Sequence, residues 1–315
     1  MSAGRPRPTR VVPTPAGDVA VDVSGDRGPV LLALHGIGSA AGSFAHLLDH
    51  PPAGWRVVAW DAPGYGRSAD PPAAPGMDGY ADAAAAVLRA CAAGGPAGPD
   101  APDAPVADGN ATSSAAANGG GHDAPPPAAV LGVSWGGVIA TRLALRHPAL
   151  VGALVLVASS VGSGVDPARA AAMRRRADDL ARLGPAAFAA QRGPRLVSPA
   201  APAALRDAVV GTMAAAVRLP GYRWAAEAMA ATDHTAELAE VTVPALVVAG
   251  TADTVTGPPD AERLRAGLPA ARLHLIEGAG HLVNQERPEA LDAVLHPFLS
   301  LPDIPHPPTH AGGSR

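Results

Sequence analysis

Residues 128–147 read AAVLGVSWGGVIATRLALRH, and the interpretation of the whole chain starts from this stretch. A short apolar run ends in GVSWG at 132–136 and an amphipathic segment follows directly, which predicts a strand that turns straight into a helix. Glycines two residues before and two after Ser134 let the strand and the helix approach closely. Such a turn exposes the serine hydroxyl above a helix N-terminus, where a nucleophile could act. Because the pattern is short, Ser134 needs partners elsewhere in the chain.

Buried apolar runs recur along the chain and predict an α/β fold with a mostly parallel, doubly wound sheet. The predicted strands are 11–15, 19–24, 29–35, 55–60, one around Val130, 151–159, 244–250 and 272–276, the first two as a β-hairpin. Helices are predicted over 42–48, 77–92, 258–267 and 288–299, with a helix start at Asp166-Pro167 and a stop at Gly184-Pro185.

The alternation of strands and helices divides the chain into regions. Residues 11–161 and 241–300 are predicted to form one core domain, and the helical block 162–240, inserted after the sixth strand, to form a lid. Residues 93–127 are almost wholly Ala, Gly, Pro, Asp, Asn and Ser, so we expect a disordered insertion. Residues 1–10 and 301–315 are predicted to be disordered tails.

Composition excludes several classes of function. A net charge of −4 and a pI near 6.2 give no basic surface for nucleic acid. No apolar run is long enough for a membrane span and residues 1–10 contain no apolar segment, so we expect a cytoplasmic protein. The basic side chains are all arginine, which removes lysine as a catalytic base. The single cysteine, Cys91, is predicted to be a buried structural thiol.

Other reactive residues follow strand ends. Asp253 comes just after the strand at 244–250, and His281 follows the strand at 272–276. A serine needs a base to take its proton, and the base needs a carboxylate to hold its tautomer. Ser134, His281 and Asp253 supply these three parts.

The anionic intermediate of acyl transfer needs two backbone N–H donors. We predict that Trp135, at the helix N-terminus, and Ile37, in the loop after the third strand, provide them. Gly36 and Gly38 allow that loop its geometry. Gly36, Tyr222 and Trp224 are predicted to contact the substrate, although core packing is an equal alternative for Tyr222 and Trp224.

Some residues compete for these roles. Asp260 is a rival of Asp253 but is predicted to lie in the next helix, and His274 is a rival of His281 but lies inside a strand. His35 is predicted to be a buried hydrogen-bonding residue that shapes its loop, and Asp61 and Ser68 to stabilise a turn. The histidines have no ligand spacing among themselves, so no metal is expected.

Two predictions concern arginines of the helical block. The run at 174–176 is predicted to be a solvated helix face. Arg192 or Arg195 could bind a substrate carboxylate from the lid, as the less favoured alternative.

Five motifs in this order resemble the α/β-hydrolase fold along most of the chain. They are HGIG at 35–38, DAPGYGRS at 61–68, GVSWGG at 132–137, AGTADTVT at 249–256 and GAGHLVNQERPE at 278–289. The chain order Ser…Asp…His is the order of that family. The segment 219–238 and the HLVNQERPE stretch are similar to 3-oxoadipate enol-lactonases. Epoxide hydrolases and haloalkane dehalogenases are disfavoured, because the enzymes of those groups that resemble this chain carry aspartate at the position of Ser134.

The resemblance implies a serine hydrolase that cleaves a small carboxylic ester or lactone through an acyl-enzyme, without a cofactor. Alternatives on the same three residues are a perhydrolase or haloperoxidase-like activity, carbon–carbon bond hydrolysis and acyl transfer. A non-catalytic small-molecule receptor on this scaffold is the alternative from a different class. The expected partner is a small-molecule substrate, and the expected assembly is a monomer or a small homo-oligomer.

Overall fold

One eight-stranded sheet organises the computed structural model, which describes residues 9–25, 27–92 and 126–305. The strand order across the sheet is β1-β2-β4-β3-β5-β6-β7-β8. The strands are β1 (Thr9–Val12), β2 (Val19–Ser24), β3 (Val30–Leu34), β4 (Arg56–Trp60), β5 (Ala128–Val133), β6 (Val151–Val157), β7 (Ala245–Gly250) and β8 (Ala271–Ile276). The predicted disorder of residues 1–8, 93–125 and 306–315 lies outside the described residues.

Helices cover both faces of this sheet. They are α1 (Ala45–Asp49), α2 (Gly76–Ala92), α3 (Trp135–Arg146), α4 (Pro167–Arg192), α5 (Ala203–Ala216), α6 (Gly221–Ala231), α7 (Gly257–Gly267), α8 (Val283–Glu286) and α9 (Pro288–Leu299). None of the helices in residues 9–25, 27–92 and 126–305 combines the length and the apolarity that a bilayer span requires.

The sheet is antiparallel only at one side. β1 pairs with β2 and β2 with β4 in antiparallel register, whereas the pairs from β4 through β3, β5, β6 and β7 to β8 are parallel. The predicted hairpin and mostly parallel sheet are therefore confirmed. Because parallel strands end at the same edge, the loops after β3, β5, β7 and β8 converge there.

Alternate residues of each buried strand enter different cores. In β3, Leu32 and Leu34 belong to the apolar core on one face, and Leu31 and Ala33 belong to the core on the other. All four side chains are fully buried, which is why this strand reads as an unbroken apolar run. Cys91 is a buried free thiol on α2, as predicted.

The segment between β6 and β7 contains α4, α5 and α6 and no strand within the described residues. Asp166 caps α4, accepting hydrogen bonds from the N–H groups of Ala168 (2.7 Å) and Arg169 (3.0 Å). The helix stop predicted at Gly184-Pro185 is instead a kink: Gly184 has φ 73° and ψ 165°, and helical geometry resumes at Pro185. Only a residue without a side chain takes that conformation at low cost.

The ordered chain extends beyond the predicted core boundaries at both ends. β1 begins at Thr9, two residues before the predicted start at residue 11. Residues 301–305 were assigned to a tail, yet Ile304 is 2% exposed and belongs to the same core as α9. The two apolar side chains of this Pro-rich segment, Leu301 and Ile304, are too few to give a periodic signal, which explains the difference.

The close approach of β5, α3 and the end of β3 is the tightest packing around Ser134. A Cβ at Gly132 would lie 2.3 Å from the carbonyl oxygen of Gly136, and a Cβ at Gly136 would lie 2.0 Å from that of Leu34. Neither position accepts a side chain without movement of the backbone.

We expect Gly136→Ala to lower the free energy of unfolding by about 1–3 kcal/mol or more, because overpacking a tight interior forces backbone shifts. Gly211→Ala is the matched control, since Gly211 lies in α5 with nothing within 4 Å of a Cβ. There alanine should stabilise the helix by about 0.5–1 kcal/mol. Urea unfolding of both variants measures the difference, and equal midpoints would refute this account of the packing.

Candidate active site

Ser134 lies at the turn between β5 and α3 in a conformation that non-glycine residues rarely adopt. Its φ is 54° and its ψ is −118°. The backbone is held there on both sides: the Ser134 N–H donates to Val157 O at 2.8 Å, and the Gly137 N–H donates to Ser134 O at 2.9 Å. Such strain costs on the order of 1–3 kcal/mol and is concentrated at functional sites.

A cavity of about 250 Å³ opens beside Ser134. His281 lines the same cavity, although it follows β8, which lies three strands from β5 in the sheet. Other parts of the chain contribute further residues to the wall, namely Gly36, Ile37, Gly38, Ser39, Trp135, Val255, Thr256, Leu282 and Gln285. The segment between β6 and β7 contributes Ser160, Ser163, Arg169, Ala172, Met173, Arg176, Arg192, Leu196, Val209, Thr212, Met213 and Met229.

His281 and Asp253 form a buried pair. His281 Nδ1 lies 2.9 Å from Asp253 Oδ2, and the two side chains are 4% and 0% exposed. With a proton on Nδ1 donated to the carboxylate, Nε2 has a free lone pair and can act as a base. Asp253 Oδ2 also accepts hydrogen bonds from Gly257 N–H at 3.0 Å and Thr256 Oγ1 at 2.9 Å.

These donors determine the charge of Asp253. Burial alone would raise the pKa of the carboxyl group, but the hydrogen bond and the charge of His281 oppose that effect. The N–H groups of Val255 and Gly257 add to the opposition, so the pKa lies well below its usual value. Asp253 is therefore a carboxylate over the whole neutral range.

The loop after β3 lies directly against the serine. A Cβ at Gly36 would be 3.3 Å from Ser134 Cβ, and Ile37 lines the cavity. His35 holds this loop: its Nδ1 donates to Gly36 O at 2.9 Å and its Nε2 accepts the N–H of Ala62 at 2.9 Å. Burial lowers the pKa of His35, so it stays neutral in this tautomer.

Asp61 and Ser68 stabilise the adjacent turn, as predicted. Asp61 accepts hydrogen bonds from Ala41 N–H at 2.7 Å and from the Arg67 guanidinium at 2.7 Å. Ser68 Oγ accepts from Ala20 N–H at 2.9 Å. The turn is thereby attached to β2 and to the loop after β3.

Glu286 is a site residue to which the sequence analysis gave no role. Its buried carboxylate accepts hydrogen bonds from the N–H groups of Gly280 and Ser198, each at 2.9 Å, and from the Ser198 hydroxyl. In addition, a backbone–backbone hydrogen bond joins Leu282 N–H to Leu196 O at 3.0 Å. The loop that carries His281 is therefore bonded to residues 196–198 of the helical segment. A carboxyl side chain at the end of a short, mostly buried helix was the available signal.

The rival residues have other partners. Asp260 lies in α7 and receives two hydrogen bonds from Arg169, at 2.9 and 2.5 Å. His274 is an exposed residue within β8. The structure brings neither of them to the cavity wall.

The predicted aromatic substrate contacts are not at the cavity. Tyr222 is 1% exposed and packs against Phe188, with ring centroids 5.2 Å apart. Neither Tyr222 nor Trp224 is among the cavity-lining residues. The sequence around Tyr222 and Trp224 does not distinguish the cavity-facing side of α6 from its core-facing side. Core packing is the alternative that the structure supports for Tyr222.

Metal ligands do not cluster in the described ranges. Within residues 9–25, 27–92 and 126–305, no group of three or more His, Cys, Asp or Glu side chains could hold a metal ion.

Comparison with known proteins gives the family. The sequence profile of the alpha/beta hydrolase family matches residues 30–294, which include Ser134, Asp253 and His281. The chain belongs to the alpha/beta hydrolase family. The fold agrees: an esterase from Thermogutta terrifontis superposes with a TM-score of 0.72 at 21% identity, over 92% of this chain and 97% of the esterase.

Two curated sequences are similar to this chain over part of their own length. A polyketide synthase of Burkholderia thailandensis is 31% identical over 299 residues, which are 90% of this chain and 12% of the synthase. A 3-oxoadipate enol-lactonase of Acinetobacter baylyi is 34% identical over 79 residues, which are 25% of this chain and 29% of the lactonase. The aligned region is therefore less than a third of either relative.

The low pKa of Asp253 predicts how stability depends on pH. The unfolded-state pKa of an aspartate is about 3.9 and the folded-state value is lower, so the stabilisation is complete above the unfolded value. It is lost as the pH falls below about 4 towards the folded-state pKa. The difference in unfolding free energy between the parent and Asp253→Asn should therefore be larger at pH 7 than at pH 3.

Urea unfolding of both proteins at pH 7, 5 and 3 measures this difference. Asp207→Asn is the control, because Asp207 is an exposed side chain of α5. A difference for Asp253→Asn that grows as the pH falls would contradict the assigned interaction.

Proposed function

We propose that this alpha/beta hydrolase is a serine hydrolase that cleaves a small carboxylic ester or lactone through an acyl-enzyme. The observation that carries the proposal is the buried 2.9 Å pair of His281 and Asp253, whose histidine lines the same cavity as the strained Ser134. A base oriented by a carboxylate, beside a hydroxyl on a sharp turn, is the arrangement that acyl transfer requires.

The residues would act in two half-reactions. Ser134 Oγ attacks the carbonyl carbon while His281 Nε2 takes its proton, and the N–H groups of Ile37 and Trp135 stabilise the oxyanion. Collapse breaks the bond to the alcohol oxygen, which receives the proton from His281. Water then attacks the acyl-enzyme with the same base and releases the acid. In a lactone the alcohol stays on the acyl chain, so the product is a hydroxy acid.

Asp253 would serve this cycle without giving up its charge. Its carboxylate fixes the proton on Nδ1 of His281 and stabilises the imidazolium formed in each half-reaction. Its low pKa supports that role, since protonation of Asp253 in the neutral range would remove both effects.

Residues 162–240 are proposed as the lid of this site. Met173, Leu196, Val209, Met213 and Met229 of this block line the cavity together with Ser134. Apolar walls of this kind exclude water around the acyl group and strengthen the electrostatic interactions within.

A second candidate is hydrolysis of an acyl thioester. The 31% identity to a polyketide synthase over 90% of this chain favours it, since a polyketide is an acyl chain and a thioester is an activated form of one. The same three residues would cleave a thioester, with a thiolate as the leaving group. A panel of an oxygen ester, a lactone and a thioester of the same acyl group separates the two candidates. We expect the ester and the lactone to have the higher kcat/KM.

Ser134→Ala should lower kcat/KM for 4-nitrophenyl butyrate by at least about 10⁴-fold, since the three residues act as one unit. A fluorophosphonate probe should label Ser134 in the folded parent and leave the variant unlabelled. Ser300→Ala is the control, because Ser300 is exposed at the end of α9. Turnover that survives in Ser134→Ala would defeat the mechanism. An unlabelled, inactive parent would favour a receptor.

A further inference from the structure

Helix α4 turns one basic face towards the cavity. Arg169, Met173 and Arg176 are spaced by four and three residues, so they lie on the same side of the helix, and all three line the cavity. Arg174 and Arg175 are exposed on other sides. The prediction of a solvated face for 174–176 is therefore correct for two residues and wrong for Arg176.

The three arginines on this wall differ in whether a carboxylate neutralises them. Arg169 forms an ion pair with Asp260 through two hydrogen bonds. Arg176 and Arg192, which also lines the cavity, form no ion pair with any carboxylate of residues 9–25, 27–92 and 126–305. Of the two alternatives in the sequence analysis, Arg195 is exposed and is not part of the wall.

The contacts that the two arginines do make are weak. Arg176 Nη1 lies 3.5 Å from the sulfur of Met173, and the guanidinium carbon of Arg192 lies 5.8 Å from the centre of the Phe188 ring. A guanidinium has five N–H donors, so most of the donors of both groups remain available to a ligand. The Phe188 ring orients the Arg192 side chain by a cation–π contact without neutralising its charge.

The positive charges of Arg176 and Arg192 also repel each other. Burial and the neighbouring Arg192 charge lower the pKa of Arg176 from 12.5 to about 10. Arg176 is still a cation at neutral pH, and like Arg192 it has no counter-charge from the described residues. Unpaired charges of this kind reduce the stability of a fold, and a bound anion would offset the cost.

We propose that Arg176 and Arg192 form an anion-binding subsite and that the ester or lactone cleaved at Ser134 carries a carboxylate. This inference rests on the proposed function for the identity of the substrate. A planar carboxylate matches the two parallel N–H bonds that a guanidinium offers. The carboxylate would hold the far end of the substrate at α4, while its carbonyl carbon meets Ser134 and His281. The chemical steps are unchanged.

A matched pair of esters tests the subsite. 4-Nitrophenyl pentanoate and mono-4-nitrophenyl glutarate have the same leaving group and chain length, with a methyl group replaced by a carboxylate. We expect the parent to have the higher kcat/KM for the glutarate ester. Arg176→Gln and Arg192→Gln should each reduce the glutarate-to-pentanoate ratio by about 10- to 100-fold, mainly through KM, as loss of a charge-assisted bond implies.

The controls separate binding from folding. Arg174→Gln removes an exposed arginine from the same helix, one that pairs with Glu227 at 2.9 Å, and it should leave the ratio unchanged. Arg176→Gln removes an uncompensated charge, so its urea midpoint should equal or exceed that of the parent. A parent without preference for the glutarate ester, or variants that keep the preference, would overturn the proposal.

Direct binding distinguishes failure of the subsite from failure of the proposed function. Calorimetry with glutarate should show binding to the parent and to Ser134→Ala, and at least about 10-fold weaker binding to Arg176→Gln. If the parent cleaves neither ester, the hydrolase proposal fails, and glutarate binding still decides the subsite. If glutarate does not bind the parent, or binds Arg176→Gln as tightly as the parent, the subsite proposal is overturned. If the parent binds inorganic phosphate and not glutarate, the ligand group is a phosphate and the proposed carboxylate is wrong.

Discussion

The positive φ of Ser134 depends on the close packing of three backbone segments. β5 enters the turn, α3 leaves it, and the end of β3 lies against both, at distances that leave no room for a Cβ at Gly132 or Gly136. The surrounding sheet is buried on both faces, and this burial stabilises a turn that would be unfavourable in isolation. The same packing brings Gly36 against the serine and places the α3 N-terminus beneath it.

Each buried carboxylate around the site has a close hydrogen-bond donor. Asp253 is matched by His281, Asp260 by Arg169 and Asp61 by Arg67, each with at least one hydrogen bond under 3 Å. Buried carboxylates are tolerated because each has such a donor. Against this background the unmatched arginines on α4 are unusual, and in the proposed subsite a bound anion would offset their cost in stability.

Local patterns predicted the parts of the protein that local rules control. The apolar runs gave the strands, the glycines around Ser134 gave the turn, and the positions just past strand ends gave Asp253 and His281. Local patterns do not show how helices pack against the rest of the protein. The role of Arg176 depends on which side of α4 faces the cavity, and Tyr222 is buried because its side of α6 faces the core. Glu286 was missed because its partners come from segments 88 and 6 residues away.

The hydrogen bonds around Glu286 limit how a substrate can enter. Residues 196–198 cannot swing away from the core without releasing Gly280 and Leu282, the two neighbours of His281. In the proposed mechanism, an opening motion through this segment would loosen the loop that holds His281 against Asp253. We therefore expect the part of the proposed lid next to His281 to stay attached to the core while other parts of residues 162–240 move.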